Sequence, residues 1–214
     1  MVRLGAGILG TLTALVLGLL IASAKGNYDR VNDGFIRGST AVVLLDRTLA
    51  QYGPETAEAR SLLRTAVASA TEAVFSQHGH GTADLDDPKR LAAGEKLQSE
   101  LENLVPQNDT QRRLQARALT ISGEVAQIRL LTINQAAGSI PKSLLFVLTL
   151  WLGIMFAGFG LVSSRTPTVI VTLFLCALSL AGAILMVQEL NRPLEGFMKI
   201  SDAPMRYALA HIGG

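Results

Sequence analysis

The chain has 214 residues, of which 49% are hydrophobic, 17% are charged and one is a cysteine, and its formal net charge is +2. Residues 25–142 hold 14 of the 19 Lys and Arg residues and 14 of the 17 Asp and Glu residues, so the charges of this middle region balance. That balance argues against a nucleic-acid partner, because a phosphate-binding surface needs a basic excess. With Cys176 alone the chain has no intramolecular disulfide, which favours a reducing compartment for its polar part.

The first apolar segment, residues 4–24, carries no charge and is long enough to cross the roughly 30 Å hydrocarbon core of a membrane as a helix. Gly10, Ala14 and Gly18 lie four residues apart on one face of that helix, where they let another helix approach closely. The segment also resembles a signal peptide, since Arg3 precedes it and an Ala-x-Ala pattern ends it. Its length favours a retained transmembrane helix, and so does the distribution of basic residues.

The middle region, residues 25–141, is predicted to be helical, with no convincing strand. Apolar residues at helical spacing indicate four helices, at residues 35–52, 55–76, 88–105 and from Asn108 or Asp109 to about residue 138. Gly53-Pro54 separates the first two, and a Gly/His/Asp loop at 77–87 separates the second from the third. The four helices are expected to pack as an antiparallel layer.

Two further uncharged runs, residues 143–164 and 166–188, are separated only by Arg165. Each exceeds the roughly 20 residues that a transmembrane helix needs, and the connector is short enough only for a tight turn. Residues 142–190 are therefore predicted to form a transmembrane hairpin. In the tail, residues 191–214, a short amphipathic helix is predicted, which either lies among lipid headgroups or docks on the cytoplasmic helices.

The basic residues near the predicted membrane helices indicate the orientation. If all three helices span, Arg3 and Arg165 lie on one side and eight basic residues on the other: Lys25, Arg30, Arg37, Arg129, Lys142, Arg192, Lys199 and Arg206. The positive-inside rule then places the middle region and the tail in the cytoplasm. The predicted fold is an all-α integral membrane protein with three transmembrane helices and a helical cytoplasmic region.

No catalytic or metal-binding motif is evident. Two histidines and three aspartates gather in the 77–87 loop, namely His78, His80, Asp84, Asp86 and Asp87. Their spacing matches no specific metal motif, and polar residues commonly collect in such loops, so no metal site is predicted. No phosphate-binding loop and no nucleophile motif occurs, so we expect neither an enzyme nor a cofactor.

The charged residues of the middle helices are predicted to form solvated or interhelical ion pairs. This applies to six residues of the first two helices: Asp46, Arg47, Glu55, Glu58, Arg60 and Arg64. It also applies to a basic face of the fourth helix, for which pairing with glutamates of the third is favoured over binding of an anion. The residues concerned are Arg112, Arg113 and Arg117, with Glu100 and Glu102 as partners.

Four polar residues in or beside the apolar runs are candidates for lining an ion pathway or marking its edge: Thr11, Thr13, Glu189 and Arg192. Ionisable residues at membrane edges often mark such pathways. The alternative is that Glu189 is an interfacial charge paired with Arg192. Hydroxyl groups bonded to the backbone of their own helix would likewise account for the threonines, including Thr149.

Three stretches of the chain together are characteristic: LVLGLLIASAK at residues 15–25, LDRTLAQYGPE at 45–55, and ELNRPLEG at 189–196 followed by ISDAP at 200–204. They resemble the bestrophin-like domain family of bacterial integral membrane proteins, and the resemblance covers nearly the whole chain. Members usually begin with a further hydrophobic helix, so the chain is expected to be short at its N-terminus. They also tend to carry Asp where this chain has Asn191, which puts in doubt any role of that acid.

Bestrophins are oligomeric anion channels with a helical cytosolic part. The resemblance therefore implies a homo-oligomeric ion channel in the lipid bilayer of the bacterial inner membrane, with anions as the expected ions. The alternative is a membrane-anchored interaction or signalling module whose cytoplasmic helices bind a partner, since the charge-balanced middle exceeds half of the chain.

Overall fold

The computed structural model describes residues 2–75, 88–136, 140–162, 166–194 and 196–213. Within these ranges the chain contains no strand and forms seven α-helices: α1 (Val2–Tyr52), α2 (Ala57–Phe75), α3 (Pro88–Glu102), α4 (Asp109–Ala136), α5 (Lys142–Val162), α6 (Pro167–Leu190) and α7 (Ala203–His211). A short 3-10 turn, Pro54–Thr56, joins α1 to α2. The prediction of an all-helical fold is confirmed.

The longest helix, α1, differs from the sequence prediction, because it runs unbroken through 51 residues where two separate helices were expected. No proline interrupts it, and the glycines between the two predicted helices weaken a helix by only about 1 kcal/mol each. The helix ends where Gly53 adopts a φ of 138°, a conformation that side chains disfavour, and Pro54 follows. The glycine and the proline therefore end α1 at Tyr52, the residue predicted from the sequence.

The helices group into two compact units. The first comprises residues 1–28 and 138–193, and its core joins α1 to α5 and α6. The apolar residues that meet there are Leu17, Leu20, Ala24, Leu145, Leu148, Leu152, Val187 and Leu190. Three helical stretches are long and apolar enough to cross a membrane, which is the predicted number: Gly10–Tyr52, Ser143–Leu161 and Pro167–Leu190.

The second unit comprises residues 29–137 and 194–214, so the tail belongs to the same unit as the middle helices. Its core contains the fully buried Leu45 of α1 and Leu101 of α3, together with residues of α2 and α4. Ala208 and Ile212, in and just after α7, are buried in this core as well. Of the two placements predicted for the tail helix, the structure shows docking on the other helices.

Candidate functional site

One face of α1 is exposed in each of the two units. In the first unit it presents Thr11, Leu15, Leu19 and Ala22, spaced four, four and three residues apart. Leu15 and Leu19 are 62% and 64% exposed, although both are large and apolar. This spacing follows the 3.6-residue period of a helix, so the four residues share one stripe. A stripe of exposed apolar residues on a long helix must meet lipid, another protein chain or a pathway.

In the second unit α1 also has exposed residues, and most of them are polar. Among them, Asp29, Asp33, Arg37, Thr40, Leu44 and Arg47 lie three or four residues apart and form one stripe; Arg30, Ile36, Ala50 and Gln51 are exposed as well. Two acidic and two basic residues share this stripe with a hydroxyl and one leucine, so the stripe is solvated and close to neutral. We call the residues of these two stripes the exposed α1 face.

The candidates from the sequence occupy different environments. Thr11 lies on the exposed α1 face, whereas Thr13, two residues later, points to the opposite side and is 3% exposed. Glu189 lies half-buried in the last turn of α6, and Arg192 is exposed just beyond it. The backbone nitrogen of Arg192 donates to the carbonyl oxygen of Glu189 at 3.1 Å, which closes the helix end. Thr149 donates its hydroxyl to the carbonyl oxygen of Leu145, as the backbone-bonding interpretation predicts.

Asn191, at the position where the resemblance leads us to expect an acid, fastens the exit of α6 to the entrance of α5. Its Oδ1 accepts a hydrogen bond from the backbone nitrogen of Ile140 at 3.2 Å. Its Nδ2 donates to the carbonyl oxygen of the same residue at 3.3 Å. An amide offers both donors and an acceptor, whereas an ionised carboxylate only accepts. Asparagine therefore satisfies both backbone groups of Ile140 here, and aspartate would satisfy one.

Asp46 holds together three parts of the second unit. It is 3% exposed, and its two carboxylate oxygens accept hydrogen bonds from Arg60 Nε at 2.9 Å and Nη2 at 3.1 Å. Oδ1 also accepts from the backbone nitrogen of Gly213 at 3.3 Å. Arg64, one turn after Arg60, donates to the carbonyl oxygen of Ile212 at 3.3 Å. We call this set the tail clamp, because it ties the tail to α1 and α2.

The predicted ion pairing is confirmed for Asp46 and Arg60. The hydrogen bond to Asp46 raises the pKa of Arg60 above its ordinary value, while burial acts in the opposite direction. The guanidinium therefore stays charged at any physiological pH, so the contact between Arg60 and Asp46 does not open by deprotonation of Arg60. The tail's part in the clamp left no signal in the sequence, because Ile212 and Gly213 are ordinary residues far from Asp46.

The expected pairing of the α4 arginines with α3 is wrong for two of them. Arg112 pairs with Asp109 at 3.0 Å and Arg113 donates to the hydroxyl of Thr110 at 3.2 Å, both on their own helix. These partners lie three residues away, so they need no approach by another helix. On α3, the carboxylate of Glu102 accepts instead from Gln98.

The structure adds no candidate metal centre. Among the residues that it describes, no group of three His, Cys, Asp or Glu is placed to hold a metal ion. The loop that contains His78 and His80, with its three aspartates, lies outside the described residues. The absence of a metal site and of a cofactor stays a prediction.

Comparison with known proteins places the chain in a structural context. A family model described as "Bestrophin-like domain" matches residues 1–205. Two crystal structures of a bacterial bestrophin homologue from Klebsiella pneumoniae, each carrying a different single mutation, are similar to the chain. The first has a TM-score of 0.67 at 16% identity, and the match covers 96% of this chain and 82% of the homologue. The second has a TM-score of 0.71 at 17% identity, and the match covers 98% of this chain and 85% of the homologue. A crystal structure described only as that of a membrane protein has a TM-score of 0.71 at 16% identity, with 97% and 84% covered. No curated protein matches the sequence.

Proposed function

Because the chain belongs to the bestrophin-like domain family, we propose that it forms a homo-oligomeric ion channel, with anions as the conducted ions. The family match and the three similar structures support a channel-type fold over nearly the whole chain. The observation that carries the proposal within this chain is the exposed α1 face. It presents apolar residues in the first unit and charges of both signs in the second.

A single copy of the chain cannot enclose a pathway with this face, because the face is exposed. Several copies arranged about a common axis would bring their α1 helices together around a shared lumen. Closely packed helices need small residues, and α1 offers them at Gly10 and Gly18, where an added Cβ would meet nothing within 4 Å. In this arrangement Thr11, Leu15 and Leu19 line the apolar part of the pathway.

The charges of the exposed α1 face then contribute to ion selectivity. An anion would be attracted to Arg37 and Arg47 and repelled by Asp29 and Asp33. We expect Arg37→Ala to reduce the permeability of chloride relative to potassium and Asp33→Ala to raise it. Reversal potentials in planar bilayers measure both. Changes in the same direction for the two variants would argue against a pathway along this face.

We further propose that the chain resides in the bacterial inner membrane, with the second unit in the cytoplasm. The support is the count of basic residues near the ends of the three uncharged runs, which is eight on one side and two on the other if all three runs span. A reporter fused to the C-terminus should be active in the cytoplasm. Activity in the periplasm instead would reverse the orientation and revive the signal-peptide interpretation of residues 4–24.

Two measurements on the purified chain test the channel. In lipid nanodiscs the mass of the protein should correspond to several copies, and a strictly monomeric particle would contradict the proposal. In liposomes the protein should release chloride faster than empty vesicles do. The lining is tested by single cysteines introduced after Cys176→Ser, since charged thiol reagents attack only a hydrated thiolate. Thr11→Cys should react and change the flux, whereas Leu178→Cys on the exposed surface of α6 should not.

A second candidate is a membrane-anchored interaction or signalling module. It is favoured by the second unit, which has a hydrophobic core of its own. In that case the apolar helices anchor the chain, and the second unit binds a partner. An inserted, folded protein that moves no more chloride than empty vesicles would favour this candidate over the channel.

A further inference from the structure

The helices of the second unit leave a cavity of about 340 Å³ between them. Helices α1, α2, α3 and α4 each contribute to its wall, and Met205 of α7 borders it. The volume lies within the roughly 300–1,000 Å³ of small-molecule binding pockets and is about twice that of an engineered 150 Å³ cavity that takes up benzene. A site of this size accommodates a molecule of one or two rings.

The cavity exists because short side chains face one another across it. Gly38 on α1, Ala66 and Ala70 on α2, and Ala93 on α3 all lie in its wall. At such positions larger side chains would fill the space, as leucines do in the neighbouring core around Leu45. The space therefore follows from the sequence of these helices.

The hydroxyl groups of three wall residues are already engaged by their own helices. Ser69 donates to the carbonyl oxygen of Ala66 at 3.0 Å, and Thr71 donates to that of Val67 at 2.7 Å. Thr132 likewise donates to the carbonyl oxygen of Ile128 at 2.8 Å. These residues consequently offer the cavity mainly their carbon atoms.

Two charged residues also lie in the described part of the wall, Glu95 and Arg129. Glu95 is exposed to solvent, and Arg129 already has a partner. Phe35 and Phe75 form a tilted aromatic pair in the wall, with ring centroids 5.3 Å apart. Aromatic rings of this kind favour contact with another ring over contact with a hydrated polar group.

We propose that this cavity is a binding site for a small uncharged apolar molecule, of the class of aromatic or cyclic hydrocarbons. Such a molecule replaces water against the alanine, valine and phenylalanine side chains and has no hydrogen bonds to lose. A sugar or a nucleotide would set most of its polar groups against carbon atoms here. The site is independent of the proposed channel, because its wall contains none of the residues of the exposed α1 face.

The probe that tests the site is fluorobenzene, followed by ¹⁹F NMR on the full chain in lipid nanodiscs. Nanodiscs without protein give the reference signal of the probe in water and lipid. Wild type should give a protein-bound signal that saturates as the probe concentration rises. Ala70→Phe, which fills the cavity, should lower the bound fraction at least tenfold. Ala68→Phe places the same ring on the exposed side of α2, outside the wall, and should leave the signal unchanged.

If Ala70→Phe fails to fold, Ala66→Phe fills the same cavity from one turn earlier and makes the same test. Hydrogen exchange provides a second readout, since bound fluorobenzene should slow amide exchange in α2 of wild type and of Ala68→Phe only. A bound signal that persists in both cavity-filling variants overturns the proposal. The absence of any saturable bound signal in wild type overturns it as well.

Discussion

The substitution Asp46→Asn tests whether the tail clamp stabilises the second unit. Asparagine keeps the size of the side chain and one acceptor oxygen, but it removes the negative charge and turns an NH₂ group toward Arg60. The variant therefore loses the bidentate pair with Arg60, while the backbone nitrogen of Gly213 competes for the oxygen that remains. The largely buried guanidinium thereby loses the charge of Asp46.

Breaking a fully buried ion pair by removing one partner costs about 3–5 kcal/mol. The side chain of Arg60 is 21% exposed, so water recovers part of its interaction, and we expect a loss of about 2 kcal/mol in the free energy of local unfolding. This corresponds to roughly 30-fold faster amide exchange where exchange follows the opening equilibrium. The faster exchange should appear in α2 and in residues 203–212, the two segments that the tail clamp joins.

Hydrogen exchange with mass spectrometry on the full chain in nanodiscs measures this change. The matched control is Asp202→Asn, which removes the same charge from the pair with Arg206 on α7. Arg206 is 74% exposed, and pairs of this kind within one helix contribute about 0.3–0.5 kcal/mol, so exchange should rise only about twofold. Arg60→Lys should lie between the two, since lysine keeps the charge but loses the bidentate geometry. Equal effects of Asp46→Asn and Asp202→Asn would refute the role assigned to the tail clamp.

Three other substitutions give expected outcomes. Asn191→Asp loses the hydrogen bond to the carbonyl oxygen of Ile140 and should cost about 1–2 kcal/mol, seen as faster exchange near residue 140; no change would mean that the amide is dispensable. Gly34→Ala drives its Cβ into Thr132 Oγ1 and should lower the free energy of unfolding by about 1–3 kcal/mol, seen as a lower thermal midpoint. An unchanged midpoint would show that Thr132 can move aside. Gly123→Ala, where a Cβ meets nothing within 4 Å, should instead raise stability by about 0.5–1 kcal/mol, and a loss there would show that the space is not open.

The helices whose bounds agree best with the sequence prediction are the two long uncharged ones. The runs at 143–164 and 166–188 became Lys142–Val162 and Pro167–Leu190, because about twenty consecutive uncharged residues admit little else. Asn108 was one of two predicted caps, and its Oδ1 accepts from the backbone nitrogen of Gln111 at 2.9 Å. Residues close together in the sequence were therefore enough to predict helices α5 and α6 and the start of α4.

The sequence could not show what depends on partners that are distant along the chain. The continuity of α1 is an example, since residues between the two expected helices are held by packing; Val31, for instance, is fully buried. The tail clamp is another, because no periodic pattern links Asp46 to Gly213. The double hydrogen bond of Asn191 is a third, since the sequence shows only an amide where an acid was expected.

The clamp between Asp46 and the tail also bears on the order of events during synthesis. The ribosome makes α1 to α4 first, then the apolar hairpin of α5 and α6, and α7 only afterwards. Because Ala208 and Ile212 complete the core of the second unit, that core stays unfinished until the hairpin has been made. The long-range contact thus delays the last folding step of the second unit until the apolar helices α5 and α6 have been made.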